Sequence, residues 1–214
     1  PIESQTIAKT ADREWVMTVY GPEEKAFRQQ HMATMKPLVD AAFASADIEP
    51  TGTPDPGKDL TEGIRSKARE LGWGEVGFTK FDRKYAYVSK KHWVKYEHAI
   101  CLALEQDYQQ TQQIPSMESE YAHFGTYEYQ GAMALELCDY IRASGYHTQI
   151  HSANDNSSPY IPMFVAAGLG QLGANGQLLS PHFGSRSRLA IITTDAPVTY
   201  DEPVDYGIHS FCQT

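Results

Sequence analysis

"AAGLGQLGANGQLLSPHFGSRSRL" (residues 166–189) contains five glycines within seventeen positions and ends on two arginines that are one residue apart. Glycine has no side chain, so a backbone rich in glycine can be approached closely by a broad ligand. A glycine-rich turn without a ligand would explain one or two of these glycines. Five of them, interleaved with leucines, favour contact with a large flat molecule.

The segments around this stretch alternate between helix and strand patterns. Short apolar runs such as HAICLALE indicate buried strands, and longer amphipathic runs indicate helices. The alternation predicts an α/β or α+β domain with a central sheet flanked by helices. Strands are expected at about 75–80, 98–105, 146–152 and 187–195, and helices at about 21–47, 59–71, 116–144 and 160–170.

The composition of the first 58 residues differs from that of the rest of the chain and predicts a segment separate from the main domain. Residues 1–20 have the composition of an extended arm, and a helix follows that Pro37 should break or kink. Residues 48–59 carry three prolines and two glycines and have the composition of a linker. We therefore separate an arm, helix and linker (1–58) from a domain that begins at residue 59.

The longest predicted helix carries one buried stripe. Tyr127 lies on that stripe, whereas Tyr129 points elsewhere because consecutive helical residues are about 100° apart. A buried tyrosine is usually a core residue, but it serves as a general acid where a neighbouring cation stabilises its phenolate. The other members of the stripe are Gly131, Ala134, Cys138 and Ile141.

The net charge, the length of the apolar runs and the cysteine count argue against several classes of protein. A formal net charge of −9 argues against nucleic acid as the main partner, since phosphate binding needs clustered Lys and Arg. No apolar run has the length of a membrane span. The chain begins at Pro1 without a methionine or leader, which predicts that it was processed or cut from a longer one. Three cysteines do not make a disulfide framework, and Cys101 and Cys138 are expected to be buried thiols.

Other candidate sites are weaker. The glycine stretch fits a dinucleotide-binding loop poorly, because a helix rather than a strand precedes it, and it lacks the Gly-Lys-Ser/Thr of a phosphate loop. His147 and His151 have the spacing of a helical metal pair, but on a strand they would be about 13 Å apart and half exposed. Arg186 and Arg188 share a face, as a solvated pair or as a site for a developing anion. Asn154 suits either a helix cap or a ligand contact.

The glycine stretch, with NDNSSPYIP (154–162) and CDYIRASGY (138–146), resembles the corrinoid-dependent reductive dehalogenases and their relatives, the epoxyqueuosine reductases. The resemblance is strong over about 121–214 and loose over 59–120, and it does not extend to the residues before 59. It implies a nitroreductase-like domain that holds base-off cobalamin, followed by a ferredoxin-like segment with two [4Fe-4S] clusters. Cys212 matches the first cluster cysteine. The resemblance therefore implies a cobalamin-binding domain at 59–211 and the truncated start of the iron–sulfur segment at 212–214.

The resemblance also assigns the site. Tyr127 matches the proton donor of the dehalogenases, at a position where the epoxyqueuosine reductases carry an Asp. Arg186 matches the cation beside that donor, and Asn154 matches an asparagine on the substrate side. The residues implied to contact cobalamin are Gly168, Gly170, Gly173, Asn175, Gly176, Leu178, Leu179, Ser180, His182 and Arg188.

These assignments predict an oxidoreductase that cleaves a carbon–halogen bond in a small organohalide. Electrons would come from a ferredoxin-like or reductase donor, and the protein is expected in the cytoplasm. Three alternatives stay open: an epoxyqueuosine-reductase-like enzyme acting on tRNA, a corrinoid-binding module without its own chemistry, and a flavin-dependent nitroreductase relative. The acidic charge and Tyr127 count against the first of them.

Overall fold

The computed structural model describes residues 21–114, 116–151 and 157–213, so the predicted arm at 1–20 and Asn154 lie outside the described residues. Six α-helices and six strands are described in these ranges. The helices are α1 (Gly21–Ala44), α2 (Thr61–Leu71), α3 (Tyr108–Thr111), α4 (Met117–Ala143), α5 (Ile161–Ala166) and α6 (Ile208–Phe211). The strands are β1 (Glu75–Lys80), β2 (His98–Glu105), β3 (Thr148–His151), β4 (Gln171–Leu172), β5 (Leu178–Leu179) and β6 (Ser187–Thr194).

The main sheet has four strands in the order β1-β2-β6-β3, and every neighbouring pair is antiparallel. Successive residues of a strand point to opposite sides of the sheet. In this sheet, both sides pack against helices. On β2, Ile100 and Leu102 join a core with α2 and α4, whereas Cys101 and Ala103 join a second core with α5. The predicted class, a central sheet flanked by helices, is confirmed.

Several sequence-based bounds agree with the structure. Strands β1 and β2 have the predicted limits, and α4 lies within one residue of them at each end. Gly72 follows α2 with φ +106°, and Gly145 follows α4 with φ +92°, as expected for residues that end helices. At the start of α2, Asp59 Oδ1 accepts from the Thr61 amide, and Leu60 is the N-cap.

Helix α1 does not end at Pro37. It continues as one α-helix to Ala44, and a 3₁₀ turn follows over Ser45–Asp47. Packing against α4 offsets the hydrogen bond that proline removes, since Phe27 contacts Phe124 edge-on at 5.7 Å between ring centroids. The expected break at Pro37 is therefore wrong.

The segment predicted to be a linker packs against the end of α4. The amides of Thr51 and Gly52 donate to the Arg142 carbonyl at 3.0 and 3.1 Å. A Cβ on Gly52 would lie 1.9 Å from the Ala143 carbonyl oxygen, so this approach requires glycine. The division of the chain at residue 59 stays a prediction, but the described part of 21–58 is in contact with the sheet domain.

Candidate functional site

The candidate site forms where α4 faces the first residues of β6. Tyr127, on α4, is half-buried, whereas Tyr129 is 72% exposed. This difference follows from the helical period, which separates the two side chains by about 200°. Arg188, on β6, has the same parity as Ala190 and Ile192, which pack against the α4 side of the sheet. The two elements thus bring a phenol and a guanidinium together.

Arg188 contacts Tyr127 in two ways. Its Nη1 donates to the Tyr127 hydroxyl at 3.3 Å, and its Cζ lies 5.1 Å from the centroid of the ring. A guanidinium over an aromatic face is attracted by the negative charge of that face. Tyr127 therefore lies beside a fixed positive charge.

The expectation that Arg186 lies beside Tyr127 is wrong. Its Nη2 bonds to Glu105 Oε1, and its Cζ lies 4.8 Å from the Tyr108 ring centroid. Two residues along a strand span about 7 Å, which is enough to move one arginine out of reach while the other makes contact. Arg188, which the resemblance placed among the cobalamin contacts, takes the position expected for Arg186.

His123 completes the cluster, although no sequence argument identified it. Arg188 Nη2 donates to His123 Nδ1 at 2.7 Å, and the His123 ring lies 5.4 Å from that of Tyr127. Burial, with a further contribution from the charge of Arg188, lowers the pKa of His123 to about 4. His123 is four residues before Tyr127, so their common helical face is the signal that could have revealed it.

A cleft of about 660 Å³ opens beside this cluster, between α1 and α4. Its wall is largely apolar and aromatic, while the charges at its edge are paired, as in the Lys36–Asp40 ion pair at 2.5 Å. This size and lining suit a small organic molecule. The side chains that matter here are His123, Tyr127, Phe124, Met32, Met35 and Val39.

The glycine stretch folds into a small hairpin that packs on itself. Strands β4 and β5 pair, and an isolated bridge joins Ser180 to Gly184. A Cβ on Gly168 would lie 2.5 Å from the Glu202 carbonyl oxygen, and one on Gly170 would lie 2.6 Å from that of Leu179. These glycines are therefore required by contacts within the chain. The argument that all five are there for a ligand is wrong for them.

The rest of the stretch leaves an accessible rim. Asn175, Gly176 and His182 are exposed, and a Cβ on Gly176 or Gly184 would meet nothing within 4 Å. A broad ligand could rest there without a clash, and Leu179 is half-buried beside this rim. The residues of the rim are thus compatible with a corrin ring.

Ser180 and Leu178 are buried instead. Ser180 Oγ donates to Glu75 Oε1 at 2.7 Å and accepts from the His182 and Phe183 amides. Burial raises the pKa of Glu75, and the hydrogen bond from Ser180 partly offsets that rise. Ser180 therefore holds the hairpin on the sheet.

The hairpin and the Tyr127 cluster lie on opposite faces of the main sheet. Leu178 belongs to the core on the α5 side, whereas Ala134 of α4 belongs to the core on the other side. Two cavities are lined by Tyr127, and neither has a glycine of 168–184 in its wall. A ligand shared by the two regions would have to pass the end of the sheet where β6 begins.

The two histidines considered as a metal pair, His147 and His151, make hydrogen bonds to neighbouring side chains. His151 is fully buried rather than half exposed, with its nitrogens 3.0 Å from Ser157 Oγ and 3.1 Å from Thr193 Oγ1. Burial lowers its pKa to about 3. His147 bonds to Asp195, which raises the pKa of His147. No group of three or more metal-binding side chains occurs within 21–114, 116–151 and 157–213.

The three cysteines differ in burial, and the predicted burial of Cys101 and Cys138 is confirmed. Cys101 and Cys138 are buried thiols, and burial raises the pKa of both, that of Cys138 to about 11. Cys212 is exposed directly after α6. Among the described residues, no helix combines the length and apolarity that crossing a bilayer requires.

Solved structures with this fold define its class. A reductive dehalogenase described with a mechanism for B12-dependent dehalogenation aligns with a TM-score of 0.73 and 22% identity, over 84% of this chain and 27% of that chain. A catabolic reductive dehalogenase bound to 3-bromo-4-hydroxybenzoic acid gives 0.69 and 23%, over 84% and 28%. An epoxyqueuosine reductase gives 0.53 and 16%, over 67% and 48%. The fold is therefore that of the reductive dehalogenases.

Sequence relatives agree. A tetrachloroethene reductive dehalogenase of Desulfitobacterium hafniense is 31% identical over 126 residues, which are 56% of this chain and 22% of the relative. That of Sulfurospirillum multivorans is 38% identical over 78 residues, 36% of this chain and 15% of the relative. No family model matches the chain. The predicted resemblance to reductive dehalogenases is confirmed, and the chain spans less than a quarter of the length of these relatives.

Proposed function

We propose that this chain forms the cobalamin-binding part of a reductive dehalogenase, which replaces the halogen of an organohalide by hydrogen. The observation that carries the proposal is the Tyr127–Arg188 pair at the edge of an apolar cleft. The similarity to tetrachloroethene reductive dehalogenases supports it. Base-off cobalamin, when bound, supplies the low-valent cobalt through which two electrons reach the carbon–halogen bond.

The side chains of the cluster have distinct roles in this proposal. Tyr127 Oη gives its proton to the carbon from which halide departs. Arg188 then lies beside the phenolate, and a fixed positive charge stabilises that anion more than the neutral phenol. Arg188 thus has the role expected for Arg186. The apolar wall of the cleft limits water, which strengthens this interaction.

The cofactor contacts stay proposals. The accessible rim of the hairpin, formed by Asn175, Gly176, His182 and Gly184, would hold one side of the corrin ring. Cys212 would be the first ligand of a [4Fe-4S] cluster, which needs four thiolates, and a ferredoxin-like or reductase donor would reduce it. Asn154 on the substrate side, and placement in the cytoplasm, also remain predictions.

The experiment uses the full-length gene product, reconstituted with cobalamin and assayed with an organohalide and a chemical reductant. Tyr127→Phe should lower the turnover number by roughly 10²–10⁴-fold, because it removes one proton donor and keeps the ring. The visible spectrum of bound corrinoid should be unchanged. Tyr129→Phe is the matched control, since its side chain points to solvent, and it should resemble the parent.

Other outcomes would contradict the proposal. A Tyr127→Phe variant as active as the parent removes the tyrosine from the chemistry. Loss in Tyr129→Phe alone would mean that the helical register of the donor is wrong by two. A flavin spectrum in place of a corrin spectrum would favour a nitroreductase relative, and corrin binding without turnover would favour a binding module.

A further inference from the structure

We propose that His123 is a positioning residue that holds the Arg188 guanidinium on Tyr127. The inference rests on the proposed function of Tyr127 as proton donor. His123 does not itself give or take the proton of the reaction. Its role is to keep the cation beside the phenol when the phenolate forms.

The chemistry of the contact fixes the state of the imidazole. An arginine side chain carries donors only, so the 2.7 Å contact between Arg188 Nη2 and His123 Nδ1 requires Nδ1 to accept. The neutral imidazole then carries its proton on Nε2. An imidazolium would present a donor to a donor and would place two positive charges together.

The position on the helix suits this role. His123 and Tyr127 are one helical turn apart on α4, and Arg188 reaches both from β6 with different nitrogens of the same guanidinium. The bond to His123 is shorter by 0.6 Å than the 3.3 Å bond to Tyr127. The histidine therefore makes the tighter contact, and the tyrosine receives an N–H of the other terminal nitrogen, Nη1.

Gln106 also binds the guanidinium, on the edge formed by Nε and Nη2. With its amide oxygen turned towards Arg188, it accepts from Nη2 at 3.2 Å and from Nε at 3.1 Å. The guanidinium is thus held by Gln106, His123 and Tyr127. Of these three, His123 is the one that shares the Tyr127 face of α4, so its loss releases Nη2 from that face and leaves the guanidinium freer to move away from the phenol.

The surroundings keep His123 neutral at physiological pH. Burial is the main reason that its pKa falls to about 4, and the charges of Arg188, Arg28 and His31 act in the same direction. Phe124 packs against the ring at 4.8 Å between centroids. At pH 6–8 the Nδ1 acceptor is therefore available to Arg188.

Two substitutions separate positioning from simple packing. The amide oxygen of asparagine reaches about the place of Nδ1, so His123→Asn keeps an acceptor for Arg188. His123→Leu fills similar space without an acceptor. His92→Leu is the control, because His92 is exposed and lies outside α4.

The first experiment measures kcat and KM in the reconstituted full-length protein. His123→Leu should lower kcat by about 10-fold with KM within about twofold, a loss comparable to that of one hydrogen bond to a charged group. His123→Asn should stay within about threefold of the parent. In a Tyr127→Phe background, His123→Leu should have no further effect, because the phenolate that Arg188 stabilises never forms.

The second experiment records ¹⁵N NMR spectra of the histidine rings. The His123 ring should keep an unprotonated Nδ1 from pH 8 to pH 5, and in Arg188→Gln the pKa of His123 should rise, because the Arg188 charge no longer opposes protonation. This signature does not depend on turnover. A folded His123→Asn that is as impaired as His123→Leu, an additive effect with Tyr127→Phe, or a His123 that titrates near pH 6.5 in the parent overturns the inference.

The two proposals fail in different ways. A Tyr127→Phe variant with full activity contradicts the proposed function, and the positioning role falls with it. A Tyr127→Phe variant that loses activity, together with a silent His123→Leu, contradicts the positioning role alone.

Discussion

The Arg188 guanidinium lies over the ring of Tyr127, with Cζ 5.1 Å from the centroid and Nη1 3.3 Å from the hydroxyl oxygen. The two residues are 61 positions apart in sequence and come from a helix and a strand. This pair joins the α4 side of the sheet to the point where β6 leaves the glycine hairpin. Of the two neighbouring arginines, Arg188 is thus the one that contacts the tyrosine.

The two arginines should therefore respond differently to the same substitution. Arg188→Gln removes the charge beside Tyr127 and should lower dehalogenation in the reconstituted full-length protein by about 10–100-fold, the loss expected for a hydrogen bond to a charged group. Arg186→Gln removes the pair with Glu105 and the contact with the Tyr108 ring, neither of which involves Tyr127, and should cost less than about fivefold. Steady-state kinetics of both variants check this. Equal losses would mean that Arg186 also acts at the site.

The glycines of the hairpin should differ in the free energy of unfolding. In Gly170→Ala the new Cβ would lie 2.6 Å from the Leu179 carbonyl, so the backbone must shift, and we expect a loss of about 2–3 kcal/mol. Gly176→Ala meets no atom within 4 Å and has only the strain of φ +77°, about 1 kcal/mol. Urea unfolding measures both. A larger loss in Gly176→Ala would contradict the described packing.

Contact between the hairpin and the corrin ring should be tested at a glycine that the hairpin itself does not need. A bulky residue at Gly170 would distort the hairpin itself, so loss of corrinoid binding there would not report on the ring. Gly184 has φ +58° and open space, and Gly184→Asn suits that backbone because asparagine tolerates the left-handed region. Weaker corrinoid binding in Gly184→Asn, with unchanged stability, would support the rim as a contact surface.

The sheet was predictable because its strands have strong local patterns. The run at 98–105 contributes residues to both cores and is therefore almost continuously apolar, and this run gives β2 the predicted limits. The order of the strands and the continuation of α1 across Pro37 were not predictable in this way. Both depend on contacts between distant segments, such as Phe27 with Phe124, which periodicity within one segment does not show.

The candidate site was predictable only in part. Helical period alone placed Tyr127 inwards and Tyr129 outwards. It could not choose between Arg186 and Arg188, because both have the same parity and the choice depends on where β6 lies against α4. The role of the glycines also needed the folded hairpin, since composition does not distinguish a backbone that approaches a ligand from one that approaches its own chain.

The buried His151 should make stability depend on pH. Its folded pKa of about 3 lies below the ordinary value of 6.5, so between these limits the unfolded state binds more protons. The free energy of unfolding should therefore fall as pH drops from about 6.5, with a limiting slope of about 1.4 kcal/mol per pH unit from this group. In His151→Gln that slope should decrease by about this amount.

His147 serves as a control because its pKa shifts in the opposite direction to that of His151. Asp195 raises the folded pKa of His147, so its contribution to stability is fully present below the ordinary pKa and is lost as pH rises through the folded value. His147→Gln should leave the slope between pH 4 and 6 close to that of the parent and alter it only above about pH 6.5. Urea unfolding at half-unit pH intervals tests both variants. Parallel curves for the parent and His151→Gln would contradict the burial of His151.

The hairpin also anchors the segment that leads to Cys212. Gln171, on β4, is buried, and its Nε2 donates to Asp205 Oδ1 at 3.0 Å. Its Oε1 accepts from the amides of Tyr206 at 2.7 Å and Ile208 at 3.2 Å. One side chain thus satisfies polar groups at the start of α6, a helix of four residues that has little stability of its own.

Gln171→Leu keeps the volume of this side chain and removes its three hydrogen bonds. The amides of residues 206–211 should then exchange with solvent about 10–100-fold faster, because local opening no longer breaks bonds worth about 1–3 kcal/mol. Hydrogen exchange followed by mass spectrometry measures this. Gln177→Leu is the matched control on the same hairpin, since Gln177 is exposed and its side chain accepts from Asn175 Nδ2 within the turn. Equal exchange in the two variants would mean that contacts such as Tyr206 Oη to the Gly168 carbonyl, rather than Gln171, hold the segment that carries Cys212.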